Sequence, residues 1–229
     1  MKTFTTEISF ILDRSGSMQS HLEPAIAGFN KFLHDQKKTS TNARFTLVLF
    51  DDQYEVPCAS IPISEVVELD TTTFVPRGST ALLDAMGQTL DNLHARLEKM
   101  STDQRPKQII IAILTDGMEN ASHKFTHRQI SDKIAHLRDN HDWQFFFLGA
   151  NQDAIATASE LNISAQNTAH FHDSADGHSA AYAAISRKTA AIRKLAESAP
   201  LTREEQADLR ANLSDIVNEE FKPKPPKKK

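Results

Sequence analysis

The sequence predicts an α/β fold with a doubly wound, mostly parallel sheet, one antiparallel edge strand and additional helices toward the C-terminal end. Two patterns indicate this class. Short apolar runs typical of strands alternate with longer segments in which apolar residues recur at helical spacing. In addition, the run "QIIIAILTDG" is almost continuously apolar, as expected of a central parallel strand that helices cover on both faces.

Each element can be placed in chain order. Strands are expected at "ISFIL", "RFTLVLFDD", "QIIIAILTDG", "WQFFFLGAN" and "NTAHFHD". The segment "YEVPCASIPI" follows the second strand after a short turn at Asp51 and Asp52. We therefore expect it to return as an antiparallel edge strand, where Pro57 and Pro62 are tolerated. Helices are expected at "HLEPAIAGFNKFLHDQKK", "TALLDAMGQTLDNLHARLEKM", "HRQISDKIAHLRDN" and "DAIATASELNI".

The chain is expected to have three parts. Residues 1–175 form the main α/β domain, residues 176–220 a C-terminal helical extension, and residues 221–229 a disordered tail. The extension has two helical stretches, "GHSAAYAAISRKTAAIRKLAES" and "TREEQADLRANLSDIVNEE", which are separated near Pro200 because proline ends helices. The tail, "FKPKPPKKK", consists almost entirely of lysine and proline, a composition that does not fill a core.

Composition restricts the compartment and the partners. The chain has 229 residues, of which 39% are apolar and 24% charged, and neither a secretory signal nor an apolar run long enough to span a bilayer is evident. The single cysteine, Cys58, excludes an internal disulfide framework, so we expect a cytoplasmic protein. The formal net charge is −4, although the last nine residues carry five lysines and no acid. An acidic body makes nucleic-acid binding improbable except through the lysine tail.

Three polar segments follow apolar runs or precede a helix, where ligands bind in a doubly wound sheet. They supply Asp13, Ser15 and Ser17 in "DRSGS", Thr80 in "RGSTALLDA" and Asp116 in "ILTDG". Two carboxylates and three hydroxyls suit a small hard cation, for which Mg²⁺ is the expected ion and Mn²⁺ or Ca²⁺ the alternatives. These motifs contain no cysteine or histidine, so they are poor ligands for zinc or copper.

The same residues carry a resemblance to a known family. "DRSGS", "GST" and "TDG" resemble the metal-ion-dependent adhesion site of von Willebrand factor type A domains, in which Asp-x-Ser-x-Ser is followed by a distant Thr and a distant Asp. The segments "FILDRSGSM", "RGSTALLDA", "ILTDGMENAS" and "FFFLGANQDA" are most similar to the small intracellular bacterial and phage-borne members. The resemblance spans roughly residues 5–175.

The resemblance implies a role for each motif residue. Ser15 and Ser17 would bind the metal directly, Thr80 would bind it when a ligand is engaged, and Asp13 and Asp116 would bind it directly or through water. An Asp or Glu of a protein partner would complete the coordination shell. The implied function is a non-enzymatic, metal-dependent protein-binding module that does not associate with membranes, and its oligomeric state is left open.

Two other functions are open at the level of sequence. A metal-dependent hydrolase or phosphoryl-transfer enzyme could use Asp13 or a metal-bound water at the same site. However, phosphatases of the haloacid dehalogenase type need a second aspartate where this chain has Ser15, a glycine-rich phosphate loop is missing, and no nucleophile elbow surrounds Ser15 or Ser17. Alternatively, the chain could be a scaffold whose C-terminal helices form an oligomer.

Simpler roles compete for individual motif residues. Ser17, Ser20 or Thr80 could cap the N-terminus of the following helix, although capping does not account for Asp116. Glu119 and Asn120 follow Asp116 and should line the metal face, either to contact a partner or to cap the next turn.

The ten histidines include two closely spaced pairs. His123 and His127 are four residues apart, and His170 and His172 alternate on a predicted strand. Neither pair has a matching third ligand nearby, so the sequence favours surface positions for them over a second metal site.

Overall fold

The computed structural model of the chain describes residues 4–150 and 153–221. Strands and helices alternate along most of it. The strands are β1 (Thr6–Asp13), β2 (Ala43–Phe50), β3 (Tyr54–Pro62), β4 (Gln108–Thr115), β5 (Gln144–Gly149) and β6 (Thr168–His170). The helices are α1 (Leu22–Thr39), α2 (Leu82–Glu98), α3 (His127–His141), α4 (Ala154–Glu160), α5 (Ala175–Ala196), α6 (Arg203–Arg210) and α7 (Leu213–Glu220).

The six strands form one sheet in the order β3-β2-β1-β4-β5-β6. All neighbouring strands are parallel except β3, which runs antiparallel to β2 at the edge and pairs with register shifts. The predicted fold class is therefore confirmed. The strand order reverses between β1 and β4, so the loops that follow these two central strands lie side by side at one edge of the sheet.

Helices cover both faces of the sheet, because every central strand is apolar on both sides. Helices α1, α5 and α7 share one core with residues such as Phe10, Phe45 and Phe146. Helices α2, α3 and α4 share the other core with residues such as Ile11 and Ile113. The central strands are thus buried on both faces, as the apolar run "QIIIAILTDG" predicts.

Helix α5 packs closely along α1. Gly28 makes this approach feasible, because a Cβ at that position would lie 2.1 Å from the ring of Tyr182. At the other end of the contact, the buried guanidinium of Arg193 donates to the main-chain carbonyl of Gln36 at 2.6 Å and to its side-chain oxygen at 3.0 Å. Arg193 thereby adds a second donor to a carbonyl in the last turn of α1, which also accepts from the backbone N–H of Ser40 at 3.4 Å.

The second predicted C-terminal stretch is two helices and not one. Helix α6 ends at Arg210, Ala211 adopts an extended conformation, and α7 starts after Asn212. The break lets Leu213, Ile216 and Val217 turn toward the core beside α5. The Asn212 side chain donates to Asp215 Oδ2 at 2.9 Å and caps no backbone amide of α7, so the burial of these apolar residues accounts for the break.

The three-part division at residues 175/176 and 220/221 stays a prediction. Helix α5, which it assigns to the extension, contributes Ala180, Tyr182 and Ile185 to the core of the sheet. The predicted tail, apart from Phe221, lies outside the described residues. Among the helices that the structure describes, none combines the length and the apolar character needed to cross a bilayer.

Candidate metal centre

The loop after β1 gathers the first three predicted ligands. Strand β1 ends at Asp13, and a short 3₁₀ helix, Gly16–His21, follows. The Ser15 backbone N–H donates to Asp13 Oδ1 at 2.7 Å, and the hydroxyls of Ser15 and Ser17 lie 3.0 Å apart. The loop therefore directs its carboxylate and both hydroxyls to one region beyond the sheet edge.

The end of β4 adds the fourth ligand. Asp116 accepts a hydrogen bond from Ser17 Oγ at 2.6 Å, and the preceding Thr115 donates its hydroxyl to Asp13 Oδ2 at 2.5 Å. These two contacts join the ends of the neighbouring strands β1 and β4. Four of the predicted residues, Asp13, Ser15, Ser17 and Asp116, thus belong to one connected group.

Thr80 reaches the same place from the loop before α2. Its backbone N–H donates to Asn120 Oδ1 at 2.9 Å, and its carbonyl accepts from the N–H groups of Asn120 and Ala121. A Cβ built on Gly117 would lie 2.6 Å from Thr80 Oγ1 and 3.5 Å from Asp13 Oδ2. The absence of a side chain at Gly117 therefore leaves a small space that faces both oxygens.

Two acidic residues hold the loop after β4 against α2. Glu119 accepts from the backbone N–H of Leu83 at 2.9 Å and from Ser122, so it satisfies an amide in the first turn of α2. Asp84 accepts from three consecutive backbone N–H groups, residues 123–125. Burial opposes the charge on Asp84, but these three amides outweigh it and lower the pKa of the carboxyl.

The two predicted carboxylate ligands are electrostatically unusual. Burial raises the pKa of Asp13 to about 6, although hydrogen bonds from Thr115 and Ser15 act in the opposite direction. Burial also raises the pKa of Asp116, and the hydrogen bond from Ser17 partly offsets this increase. Within the described part of the chain, neither carboxylate forms an ion pair with a lysine or an arginine. A buried carboxylate without a cation is unfavourable, so this site is suited to a positive ion.

A third buried carboxylate nearby has a contrasting environment. Asp51, at the end of β2, lies 3.1 Å from Arg14 Nε and 2.8 Å from Arg77 Nε. Both arginines also contact Glu55, and the hydrogen bond from Arg14 is the main reason that the pKa of Glu55 falls to about 2. The arginines are thus engaged at the β2–β3 hairpin, and Asp51 is part of that turn, as the sequence favours.

The donor set fits a small divalent cation. Asp13, Ser15 and Thr80 are buried, whereas Asp116 is half-buried and Ser17 is exposed. The inner oxygens are therefore fixed by the fold and the outer ones border solvent. Carboxylate and hydroxyl oxygens are the ligands that Mg²⁺ and similar hard ions prefer. A cation held here would have one side open to solvent.

Several supporting residues were missed or left undecided at the sequence level. Thr115 was missed, although a hydroxyl directly before the aspartate is a usable signal. For Glu119 and Asn120 the sequence leaves partner contact or capping open. Glu119 accepts from an amide in the first turn of α2, and Asn120 accepts from the backbone N–H of Thr80. Asp84 had no local signal, because its partners lie about 40 residues away along the chain.

The fold and this arrangement of oxygens agree with the family comparison. The model of the von Willebrand factor type A domain matches residues 7–185, and the chain belongs to this family. A search of curated protein sequences finds no significant match.

Solved structures support the fold at low sequence identity. A von Willebrand factor type A protein from Catenulispora acidiphila is 14% identical, with a TM-score of 0.54, and the match covers 82% of this chain and 43% of that one. Proximal thread matrix protein 1 from the mussel byssus, with a zinc-occupied adhesion site, is 18% identical over 82% of this chain and 46% of that one, with a TM-score of 0.55. Manganese-loaded TRAP protein of Plasmodium vivax is 14% identical over 75% and 69%, with a TM-score of 0.50. The chain spans less than half the length of the first two proteins.

Proposed function

We propose that this chain is a divalent-metal-dependent protein-binding module. The observation that carries the proposal is the hydrogen bond from Ser17 to Asp116, which closes a connected group of Asp13, Ser15, Ser17 and Asp116. Within the described residues, neither carboxylate of this group forms an ion pair with a lysine or an arginine. The family match and the metal-loaded forms of two neighbours support the same function. Mg²⁺ is the proposed ion, because the donors are hard oxygens.

Each residue has a defined task in this proposal. Ser15 and Ser17 would provide two hydroxyl ligands, and Thr80, whose backbone N–H donates to Asn120, would provide the third. Asp13 and Asp116 supply the negative charge that attracts the cation. The bound cation supplies an open coordination position, which an Asp or Glu of a partner protein would fill. Met118 is 63% exposed close to this rim and offers apolar contact area to that partner.

We infer that the site is not catalytic. The Ser15 and Ser17 hydroxyls contact each other, and the Ser17 hydroxyl donates to Asp116. Within the described residues, neither hydroxyl is hydrogen-bonded to a histidine that could act as a general base. A hydrolase or phosphoryl-transfer enzyme at the same site is the alternative. A screen of phosphatase and nucleotide-hydrolysis substrates with Asp13→Ala as the control distinguishes the two, because turnover that depends on Asp13 would contradict the binding-module proposal.

The proposed compartment is the bacterial cytoplasm. Cys58, the single cysteine, supports a reducing environment, and the resemblance to small intracellular bacterial and phage-borne proteins supports the origin. Subcellular fractionation of the native host would test this assignment, and recovery of the protein outside the cytoplasm would contradict it.

Metal binding is tested by calorimetric titration with Mg²⁺ and Mn²⁺. Ser15→Ala with Ser17→Ala should abolish the binding, since two of the three hydroxyl ligands are removed. Ser20→Ala is the matched control, because Ser20 lies in the same 3₁₀ helix. Its hydroxyl donates to the backbone carbonyl of Ser17 and is not one of the proposed metal ligands. Equal affinity in the double variant and the control would refute the metal assignment.

Partner recognition is tested with a displayed peptide library selected in Mg²⁺ and eluted with EDTA. The recovered peptides should contain an Asp or Glu whose replacement by Asn or Gln abolishes binding. They should also fail to bind the double serine variant. Peptides that bind equally well in EDTA, or that carry no essential carboxylate, would contradict the proposed mode of recognition.

A further inference from the structure

A second group of potential metal ligands lies outside the oxygen site. His21 ends the 3₁₀ helix that contains Ser17, Asp173 precedes α5, and His178 lies in the first turn of α5. His21 Nε2 is 2.6 Å from Asp173 Oδ1, and His178 Nε2 is 4.0 Å from the same oxygen. Within the described residues, this is the group of His, Cys, Asp or Glu whose three ligand atoms all lie within 4.8 Å of one another.

His178 is the residue that an ordinary structural role does not explain. Its side chain has no exposed surface, yet neither ring nitrogen has a hydrogen-bond partner among the described residues. The ring stacks on His21, with centroids 4.6 Å apart, and meets Phe171 edge-on at 4.9 Å. Aromatic packing alone would be served by an apolar ring, without two buried nitrogens that lose their hydration.

The geometry points to a second metal site, formed by His21, Asp173 and His178, that takes a transition-metal ion of the zinc type. Two imidazoles and a carboxylate are typical zinc ligands, whereas the all-oxygen group at Asp13 and Asp116 is suited to a hard ion. Three protein ligands leave one position of a tetrahedral ion to water.

The three ligands must rearrange to bind one ion. Zinc bonds to nitrogen and oxygen are about 2.0–2.2 Å long, so the ligand atoms of a tetrahedral ion are roughly 3.4 Å apart. The 4.8 Å spread must therefore shorten by roughly 1.4 Å, and the 2.6 Å contact between His21 and Asp173 must lengthen. Asp173 is 64% exposed and His21 is 14% exposed, so both side chains can move, while His178 stays fixed in the core.

The state of His178 agrees with this assignment. Burial, together with the nearby His21, lowers the pKa of His178 to about 4, so its imidazole is neutral near pH 7. A neutral imidazole is the form that binds metal. A cation here would also connect the 3₁₀ helix that contains Ser17 to the start of α5, two segments that are otherwise joined at this point by the His21–Asp173 contact and the stacked rings.

The test is Zn²⁺ binding to the full chain in excess Mg²⁺, measured by equilibrium dialysis with elemental analysis. The wild type should bind one Zn²⁺, and Asp173→Asn and His21→Asn should each weaken it more than about tenfold, since loss of even an orienting partner costs roughly 10–100-fold. His34→Asn is the matched control, because His34 is an exposed histidine on α1. Asp173 and His21 are not fully buried, so these variants are expected to fold, and circular dichroism would verify it.

Two further readouts separate this site from the oxygen site. The variant with Ser15→Ala and Ser17→Ala should retain the Zn²⁺ stoichiometry, and Co²⁺ should give the intense visible absorption of a tetrahedral ion that Asp173→Asn loses. The proposal is overturned if the wild type binds no Zn²⁺ in excess Mg²⁺, if Asp173→Asn and His21→Asn bind it like the wild type, or if the double serine variant loses it.

Discussion

Two buried aspartates illustrate how one residue type serves opposite purposes at the ends of neighbouring strands. Asp51 lies between the guanidinium groups of Arg14 and Arg77, so its charge is neutralised within the fold. Asp13, one strand away, has hydroxyl and amide partners and no arginine or lysine among the described residues. Because a buried carboxylate needs a compensating charge, Asp13 is the one that retains attraction for an external cation.

Gly117→Ala should weaken metal binding without removing any ligand. Its Cβ would lie 2.6 Å from Thr80 Oγ1, so we expect the Thr80 side chain to rotate away and the Mg²⁺ affinity to fall by about 10–100-fold, with little change in the melting temperature. Calorimetric titration measures the affinity. Thr80→Ala should give a similar loss, and the double variant should lose no more than either single one. A fully additive loss would contradict this mechanism.

The arginines at the hairpin predict a pH dependence for Glu55. Its pKa in the folded state, about 2, lies below the ordinary value of 4.5. Its contribution to stability is therefore complete above pH 4.5 and is lost as the pH falls through about 2. Because Glu55 is 46% exposed, solvent screening keeps the contribution small.

Arg77→Gln should raise the pKa of Glu55 above 2 but leave it below 4.5, because Arg14 still donates to the same carboxylate. Carbon NMR of the side-chain carboxyl during an acid titration measures the midpoint. Arg128→Gln, an exposed change on α3, is the control and should leave the midpoint where it is. An unchanged midpoint in Arg77→Gln would show that the contact with Glu55 does not persist in solution.

At the scale of elements, the loop between β4 and α3 has no helix or strand of its own and is held in place by side-chain hydrogen bonds. Asp84 and Glu119 anchor it to the start of α2, and Asn120 connects it to Thr80. The loop therefore positions two predicted ligands. Asp116 belongs to the loop itself, and the carbonyl of Thr80 accepts from two backbone N–H groups of the loop. A disturbance of the anchor should reach both ligands.

Asp84→Ala removes the acceptor of three backbone amides and should lower the free energy of unfolding by about 2 kcal/mol, in the range for hydrogen bonds to a charged group. Amide hydrogen exchange at residues 123–125 should accelerate, and Mg²⁺ affinity should fall with it. Asp91→Ala, on the exposed side of the same helix, is the control and should cost less than about 1 kcal/mol. Unaltered exchange in Asp84→Ala would contradict the anchoring role.

At the scale of the molecule, the C-terminal helices are packed against the body. Arg187 of α5 contacts Asp208 of α6 and both Glu219 and Glu220 of α7, and Ile216 of α7 is buried beneath them. The apolar face of α7 is therefore covered by the chain's own α5. This arrangement favours a structural role for the extension over the scaffold hypothesis, in which these helices would form an oligomer.

Ile216→Ala should lower the free energy of unfolding by about 2–5 kcal/mol, since it leaves a cavity in the core. Urea denaturation measures the change. Ile155→Ala is the matched control on α4, where the side chain is 53% exposed, and it should fall within about 0.5 kcal/mol of the wild type. Equal stability of the two variants, or an oligomer that only Ile216→Ala dissociates, would contradict the packing described for α7.

The sequence predicts the sheet from its apolar strands, and the structure confirms it. The metal-binding roles of the five oxygen-bearing residues stay a prediction, made from polar residues beyond two strands and before one helix. The sequence does not predict contacts between distant segments. The pairing of Asp51 with Arg14 and Arg77 depends on where the hairpin meets two other loops. The grouping of His21 with His178 depends on α5 returning to α1, which no spacing in the chain encodes. The division of the last helical stretch at Asn212 depends on the burial of Leu213, Ile216 and Val217 in the core beside α5, which the continuous amphipathic pattern does not encode.

The contact between α1 and α5 has a consequence for folding during synthesis. Strands β1 to β3 and helix α1 leave the ribosome early, but Tyr182, whose ring packs on Gly28, lies 120 residues beyond Pro62 at the end of β3. Until then, the apolar side of α1 and one face of the sheet lack their cover, and such nascent surfaces are prone to aggregation. Completion of that face late in translation makes the early intermediate a natural client for cellular chaperones.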